Sequence, residues 1–268
     1  MTQHIIYHTN CVDGIAAAYI AWTRLNPNAV LTPWQYNQPF PLSGLSKEDE
    51  IYIVDFSFPR QTLLDVHGQV DKLLVIDHHS NMEADIADLP FVIFDTKESG
   101  ASLAWKHFYP CLDIPYAIQL VKDYDLWNHS LAHTNVFNKI VKSRLAWQDM
   151  EYWDRIVNDC KFLNNELSQG SVLVEQEENY IAKMTNSNKP RYRLSKFKGY
   201  QVAVFNTTFA INEVSAHLLV TEKIDFTVNY EVVSDDGRVV FNLRSIKDGS
   251  MNVGAFSKQY YGGGGHQS

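Results

Sequence analysis

The chain has 268 residues, of which 45% are hydrophobic, 13% aromatic and 20% charged, and its formal charge at pH 7 is −8. This composition excludes disordered, collagen-like and disulfide-scaffold proteins, because it is that of a globular protein with enough apolar side chains for a large core. A length well above the roughly 150 residues of one domain predicts two domains. The acidic charge argues against a protein that coats long duplex nucleic acid, since such proteins present a basic surface.

The cysteines and the apolar runs indicate the compartment in which the protein works. Cys11, Cys111 and Cys160 are odd in number and far apart, which favours a reducing compartment over a disulfide framework. No apolar run reaches the roughly 20 residues of a membrane helix, and the first residues lack the features of a signal peptide. The sequence therefore predicts a cytoplasmic protein that does not act at membranes.

The first part of the chain alternates short apolar runs with helical patterns, which predicts a parallel α/β sheet with helices on both faces. Strands are predicted at residues 5–8, 30–34, 51–54, 73–76 and 91–94. Helices are predicted at residues 14–24 and 60–69, and helical patterns dominate residues 99–183. Residues 1–185 form the predicted catalytic domain.

The rest of the chain has a different pattern. Residues 183–198 contain six basic residues and no acidic one, and we predict a basic linker at residues 186–198. Three strands (201–206, 225–233 and 238–245), two helices (212–222 and 252–261) and a hairpin turn at 235–237 are predicted beyond it. Residues 199–268 therefore form a smaller α/β domain with a mixed sheet.

Several side chains that can bind metal follow predicted strands or helices. In an open parallel sheet, the carboxyl ends of the strands meet at one edge, where ligands bind. A single aspartate at such a place is more often a helix cap or a turn residue. An adjacent histidine pair together with several carboxylates is more specific and favours borderline ions such as manganese, iron, cobalt or zinc. The side chains are His8, Asp13, Asp55, the tripeptide Asp77-His78-His79, and Asp123 or Asp125.

The order of these motifs resembles that of the DHH phosphoesterase superfamily. The matching segments are His8 to Gly14 (HTNCVDG), Val54-Asp55-Phe56-Ser57, Asp77-His78-His79, Asp123 to Trp127 (DYDLW), and Arg244-Ser245 with the final glycine run and His266. The resemblance is closest to the two-domain oligoribonucleases (nanoRNases) and phosphohydrolases. It implies a DHH domain followed by a DHH-associated C-terminal domain that faces the active-site cleft.

The resemblance also implies roles for individual residues. His8, Asp13, Asp55, His78 and Asp123 would bind two divalent ions, most plausibly Mn²⁺, with Asp55 between them; Asp125 competes with Asp123. His79 would face the substrate phosphate, and Asp77 would orient the site or supply a ligand. Many members have an aspartate where this chain has Cys11, so either Asn10 or Cys11 replaces it or one ion lacks a ligand.

The second predicted domain carries candidate phosphate-binding residues. Successive glycines let backbone N–H groups approach a phosphate, although a glycine run is also typical of a flexible tail. Members of the family usually continue into a further strand after the histidine, so a shortened C-terminus is expected. The candidates are Arg244, Gly263, Gly264, Gly265 and His266.

The leading functional hypothesis is a metal-dependent hydrolase that cleaves phosphodiester bonds in short oligonucleotides or linear dinucleotides through water activated by two metal ions. A phosphomonoesterase acting on adenosine 3′,5′-bisphosphate, or a polyphosphatase, would use the same ions. An alternative that is not primarily an enzyme is a weakly catalytic nucleotide-binding sensor. The cysteine at position 11 in the first motif motivates this alternative. The expected partners are short nucleotides rather than long duplexes, and a homodimer is left open.

Overall fold

The computed structural model of the protein describes residues 2–25, 28–36, 38–145, 148–186, 188–232, 238–246, 249 and 251–263. The chain divides into two compact units, Met1–Leu173 and Val174–Ser268, and the division falls within helix α8. The first unit contains β1 (Gln3–His8), α1 (Val12–Arg24), β2 (Val30–Trp34), β3 (Glu50–Val54), α2 (Arg60–His67), β4 (Lys72–Asp77), α3 (Glu83–Ile86), β5 (Val92–Phe94), α4 (Gly100–Phe108), α5 (Tyr116–Asp125), α6 (Thr134–Ser143), α7 (Met150–Asn158) and the start of α8 (Cys160–Met184).

The sheet of the first unit is parallel throughout, in the order β2-β1-β3-β4-β5. Because successive side chains of a strand point to opposite faces, Ile5 and Tyr7 pack into one core cluster and Ile6 into another. The first cluster contains α1 and α4 to α7, and the second contains α2 and α3. The predicted α/β architecture with helices on both faces is confirmed.

The strand order positions the site. From β1, the chain crosses to β2 on one side and then to β3 on the other, so a crevice opens at the carboxyl ends of β1 and β3. Ligands of open α/β sheets bind at such a topological switch point. His8 ends β1, and Asp55 directly follows β3.

The second unit is built on a mixed sheet in the order β6-β7-β8-β9, with β6 (Tyr192–Phe197), β7 (Tyr200–Phe205), β8 (Phe226–Val232) and β9 (Val239–Ser245). The β7 and β8 strands are parallel, and the two outer pairs are antiparallel. Helices α9 (Ile211–Thr221) and α10 (Val253–Tyr261) pack on separate core clusters of this unit. The predicted hairpin turn at 235–237 lies outside the described residues.

The segment predicted as a basic linker contains an edge strand. Lys198 and Gly199 both have positive φ (50° and 90°), which is the geometry of a two-residue turn between paired strands. This turn folds β6 back onto β7, and five of the six β6 residues are exposed. Charged side chains are common on edge strands because they block pairing with other chains. The basic composition therefore marks a sheet edge rather than an unstructured connection.

In the described part of the chain, none of the helices is long and apolar enough to cross a membrane.

Candidate metal centre

Asp55 occupies the centre of the site at the end of β3. Its φ of 52° is unusual for a residue other than glycine, and its N–H donates to the Ile76 carbonyl. The side chain is 1% exposed. A Cβ added to Gly100 would lie 2.5 Å from the Asp55 Cβ, so α4 approaches this closely only because residue 100 is glycine. Backbone strain of this kind is concentrated at functional sites.

The tripeptide at the end of β4 is organised by its aspartate. Asp77 Oδ1 accepts hydrogen bonds from the backbone N–H of His78 (2.8 Å) and from Nδ1 of His79 (2.7 Å). This contact places the Nδ1 proton of His79 against the carboxylate and orients the other ring nitrogen. Burial opposes protonation of His79, but the bond to Asp77 outweighs it and raises the pKa of the imidazole. Asp77 therefore orients the histidines, one of the two roles expected for it.

Three carboxylates surround the ring of His78. Its Nε2 lies 3.1 Å from Asp55 Oδ1, 3.4 Å from Asp125 Oδ2 and 3.7 Å from Asp13 Oδ2. Burial disfavours the imidazolium, but the carboxylates raise the pKa of His78 well above its ordinary value. Three carboxylates this close together repel one another, and a single imidazolium does not balance their charge. A metal ion at this place would stabilise them.

Asp13 is held by the start of α4. Its Oδ2 accepts from the Gly100 N–H at 2.6 Å, and its Oδ1 accepts from the Ala101 N–H at 3.0 Å. A helix N-terminus stabilises a carboxylate, because its first N–H groups lack intrahelical partners. Burial and the charge of Asp55 nevertheless raise the pKa of Asp13 well above its usual range.

Several nitrogen and oxygen atoms in this cluster that could bind a metal ion form no hydrogen bond. His8 Nδ1, Asp55 Oδ2 and Asp125 Oδ2 are buried and form no hydrogen bond with any described residue. Buried polar atoms normally form hydrogen bonds. Several that lack one and lie close together are typical of a site for an ion. The nitrogen, sulfur and oxygen atoms form three groups compact enough for a cation: His8, Cys11 and Asp55; Asp55, His78 and His79; and Asp13, His78 and Asp125. The residues present therefore fit divalent cations.

The structure brings Asp125 and not Asp123 to the cluster, contrary to the prediction that Asp123 is the more suitable ligand. The Asp123 carboxylate accepts hydrogen bonds from Ser130, from the Leu131 N–H and from the Thr134 hydroxyl. Burial opposes its ionisation, but these bonds lower the pKa of Asp123 to about 2. Residues two apart on a helix are about 200° apart around its axis, so only one of these aspartates can face the site.

The first motif, residues 8–14, connects the end of β1 to the start of α1. Gly14 is required there, because a Cβ at this position would lie 2.2 Å from the His8 carbonyl oxygen. Cys11 starts the helix, and burial and the neighbouring carboxylates raise the pKa of its thiol well above the ordinary value. Asn10, with φ of 57°, lines an adjacent cavity together with His8 and Asp13.

The adjacent cavity has a volume of about 380 Å³. It is lined by residues of the first motif and by residues of α5 and α6. Lys142 supplies a positive charge and Asn138 an amide. The lining residues are His8, Thr9, Asn10, Cys11, Val12, Asp13, Gln35, Val121, Tyr124, Asp125, Asn138 and Lys142.

Sequence reasoning missed Tyr36 and Gly100. The Tyr36 ring packs 5.4 Å from the ring of His8 and 5.5 Å from that of His79, measured between centroids. Its buried hydroxyl has no hydrogen-bond partner within the described ranges. Tyr36 lies in a loop with no periodic pattern, so no local signal marks it. Gly100 belongs to a recognisable helix start, Ser99 to Ser102, but the contact with Asp55 is not encoded locally.

The predicted phosphate-binding residues lie in the second unit. Arg244 Nε donates to the Asn212 side chain at 2.8 Å, which fixes the guanidinium on α9. Gly262, with φ of 66°, ends α10, and the Gly263 N–H donates to the Ser257 carbonyl at 3.2 Å. This is a helix-terminating arrangement, so the Gly263 amide serves the cap rather than a phosphate, contrary to the prediction. Gly264, Gly265 and His266 lie outside the described residues.

Comparisons with known proteins bear on the fold. No family model matches the chain. Among curated proteins, the chain is similar to the "Uncharacterized protein R106" of Acanthamoeba polyphaga mimivirus, with 23% identity over 282 residues that cover 98% of the chain. The chain spans 65% of the length of that relative.

Two solved structures share the architecture. The DHH domain of a member of the s1p family of ribosomal proteins matches with a TM-score of 0.57 and 12% identity, over 99% of this chain and 81% of that one. The pGpG-specific phosphodiesterase PggH from Vibrio cholerae matches with a TM-score of 0.56 and 14% identity, over 100% of this chain and 91% of that one. The protein is thus an α/β protein with a cluster of side chains at its switch point that could hold metal ions. It shares the two-domain fold of these structures, one of which is a DHH domain, as expected from the resemblance of its motifs.

Proposed function

We propose that the protein is a metal-dependent phosphoesterase that hydrolyses phosphodiester bonds in short oligonucleotides or linear dinucleotides. The observation that carries the proposal is the set of unpartnered, buried donor atoms of His8, Asp55 and Asp125 at the switch point of the sheet. A phosphodiesterase specific for the linear dinucleotide pGpG has the same fold, which supports this class of substrate.

Two cation positions lie on either side of the Asp55 carboxylate. One is formed by His8, Cys11 and Asp55, and the other by Asp13, His78 and Asp125. Asp55 connects them because Oδ1 faces His78 and Oδ2 faces His8. When bound, a pair of divalent ions supplies hydroxide near neutral pH and neutralises charge on a phosphoryl group.

The surrounding residues set up the reaction. The α4 amides hold the Asp13 carboxylate in one orientation, and Asp77 holds the His79 ring. The hydrogen bond to Asp77 raises the pKa of His79 and so favours its protonated form, in which the ring can bind a phosphate oxygen or protonate the leaving oxygen. Lys142, which also lines the cavity, adds a further positive charge for the substrate.

The cavity dimensions favour small substrates. A volume of about 380 Å³ lies in the lower part of the range of roughly 300 to 1,000 Å³ found for small-molecule sites. Such a pocket suits one nucleotide or a terminal phosphate ester. The net charge of −8 provides no general attraction for long nucleic acids.

The test is turnover with added Mn²⁺ on labelled RNA and DNA of two to about twenty nucleotides, with adenosine 3′,5′-bisphosphate and polyphosphate assayed in parallel. We expect the shortest oligonucleotides to be cleaved fastest. Asp55→Asn and His78→Ala should each lower kcat by at least about a thousandfold, because each removes a ligand. Asp71→Asn is the matched control, since its side chain is 70% exposed at the surface.

The outcomes separate the candidate functions. Shortening of oligonucleotides supports the proposal. Phosphate release from the bisphosphate or polyphosphate alone would replace the diesterase with a monoesterase or polyphosphatase. Tight nucleotide binding with no turnover on any substrate would indicate a sensor, and full activity of Asp55→Asn would refute the site.

A further inference from the structure

Cys11 differs from the other cysteines of the chain in its surroundings. Cys111 and Cys160 are exposed, whereas Cys11 is partly buried where α1 begins. Its sulfur lies within 4.8 Å of a ligand atom of His8 and of Asp55. It forms no side-chain cap of α1. The thiol is therefore placed among ligand atoms at the start of α1.

The partners of this sulfur are themselves unsatisfied. Asp55 is 1% exposed, and its Oδ2 has no hydrogen-bond partner in the described part of the chain. His8 Nδ1 likewise has none. The two atoms are 3.7 Å apart, which is too long for a hydrogen bond. Two ligand atoms that each lie roughly 2.1 Å from a tetrahedral ion are about 3.4 Å apart, and the distance between His8 Nδ1 and Asp55 Oδ2 is close to this value.

The two oxygens of Asp55 face different surroundings. Oδ1 lies 3.1 Å from His78, inside the group of carboxylates, whereas Oδ2 faces His8, and a carboxylate oxygen of Asp55 lies within 4.8 Å of the thiol. One side of the cluster consequently offers oxygen and imidazole ligands only. The other offers one imidazole, one carboxylate and one sulfur. A hard ion suits the first set, and a thiolate favours softer ions.

We propose that the Cys11 thiolate is a metal ligand and, with His8 and Asp55, forms the softer of two cation positions, which takes Zn²⁺, Co²⁺ or Fe²⁺ in preference to Mn²⁺ or Mg²⁺. Formation of the metal–sulfur bond displaces the thiol proton to solvent. The proposal deepens the proposed function, because it assigns one half of the same cluster. It makes the protein a mixed-metal enzyme whose full loading depends on a thiol.

The first experiment titrates the metal-free, full-length protein with Co²⁺ and records its absorption spectrum. A thiolate ligand produces a sulfur-to-cobalt charge-transfer band in the near ultraviolet, which oxygen and nitrogen ligands do not. We expect the band in the wild type, in the exposed-cysteine controls Cys111→Ser and Cys160→Ser, and in Asp125→Asn, which alters only the other position. Cys11→Ser should lose the band and still bind Co²⁺ at the second position.

Two further measurements do not depend on whether Cys11→Ser folds. X-ray absorption of the zinc-loaded wild type should show a sulfur ligand at about 2.3 Å. Calorimetric competition should show that Cys11→Asp lowers the ratio of Zn²⁺ to Mn²⁺ affinity by at least about tenfold. Cobalt bound without the band, a band that survives in Cys11→Ser, or an unchanged affinity ratio would overturn the assignment.

These readouts require no turnover. A protein that shows the band but hydrolyses no phosphoester would overturn the proposed function and leave the ligand assignment standing. Hydrolysis by a protein that binds cobalt without the band would do the reverse.

Discussion

Replacing Gly100 with alanine tests how closely α4 must approach the metal centre. The added Cβ would lie 2.5 Å from Asp55 Cβ, 2.7 Å from its Oδ1 and 2.8 Å from its Cα. Carbon atoms in contact are about 3.5 to 4.0 Å apart, so the start of α4 must move by about 1 Å. Alanine is otherwise the better helix former by about 1 kcal/mol, so any destabilisation comes from this contact.

The magnitude follows from two contributions. Overpacking of a buried position costs about 1 to 3 kcal/mol. The same movement lengthens the hydrogen bonds from Gly100 and Ala101 to the Asp13 carboxylate, and bonds to charged groups contribute about 1.5 to 3 kcal/mol each. Because these effects overlap, we expect Gly100→Ala to lower the free energy of unfolding by about 2 to 4 kcal/mol.

Urea denaturation of Gly100→Ala and of Gly68→Ala measures this effect. Gly68 has φ of −68°, and a Cβ there would meet nothing closer than 3.5 Å. Gly68→Ala should therefore be neutral or stabilising by about 0.4 to 1 kcal/mol. An unfolding free energy of Gly100→Ala within about 0.5 kcal/mol of the wild type, at an unchanged denaturant slope, would refute the close approach of α4 to Asp55.

Three other predictions concern the same unit. Asp123→Asn should lower the unfolding free energy at pH 7 by about 2 kcal/mol, because the pKa of Asp123 is lowered to about 2. This stability is present above the ordinary pKa near 4 and is lost as the pH falls towards 2, so urea midpoints of the two proteins should converge below about pH 4; a constant difference would contradict the cause. Tyr36→Phe should leave stability unchanged or slightly raised, since the hydroxyl is buried without a described partner, but should reduce kcat by roughly tenfold; equal kcat values would place the hydroxyl outside the reaction. Mn²⁺ at a hundred times its dissociation constant should stabilise the wild type by about 2.7 kcal/mol in thermal unfolding, and Asp55→Asn should lose most of this gain; equal stabilisation of both would argue against ligation by Asp55.

Most of the secondary structure of the first unit follows from local patterns. The runs around Ile5, Ile53 and Val75 are short and apolar on both sides, as expected of strands covered by helices. The ends of the five predicted strands and the starts of α1 and α2 agree with the predictions to within two residues, whereas the separate helices between residues 99 and 183 are predicted only as a helical pattern. Each of these signals depends only on neighbours in the chain.

The errors have a common origin. The basic composition of residues 192–197 is a property of a solvent-exposed edge, and a linker has the same composition. Asp123 and Asp125 are both plausible ligands by type, and only the rotation of α5 against α6 decides between them. Tyr36 and Gly100 reach the site through contacts between segments that are far apart in sequence.

The sequence by itself determined the alternation of strands and helices and the residue types available for metal binding, because both are written in local patterns of polarity. The tertiary structure decided that β1 and β3 are neighbours at a switch point, which carbonyls and amides surround Asp13 and Asp55, and which aspartate of α5 lies beside His78. These outcomes depend on strand order and helix packing, which arise from contacts across the whole unit rather than from any one segment.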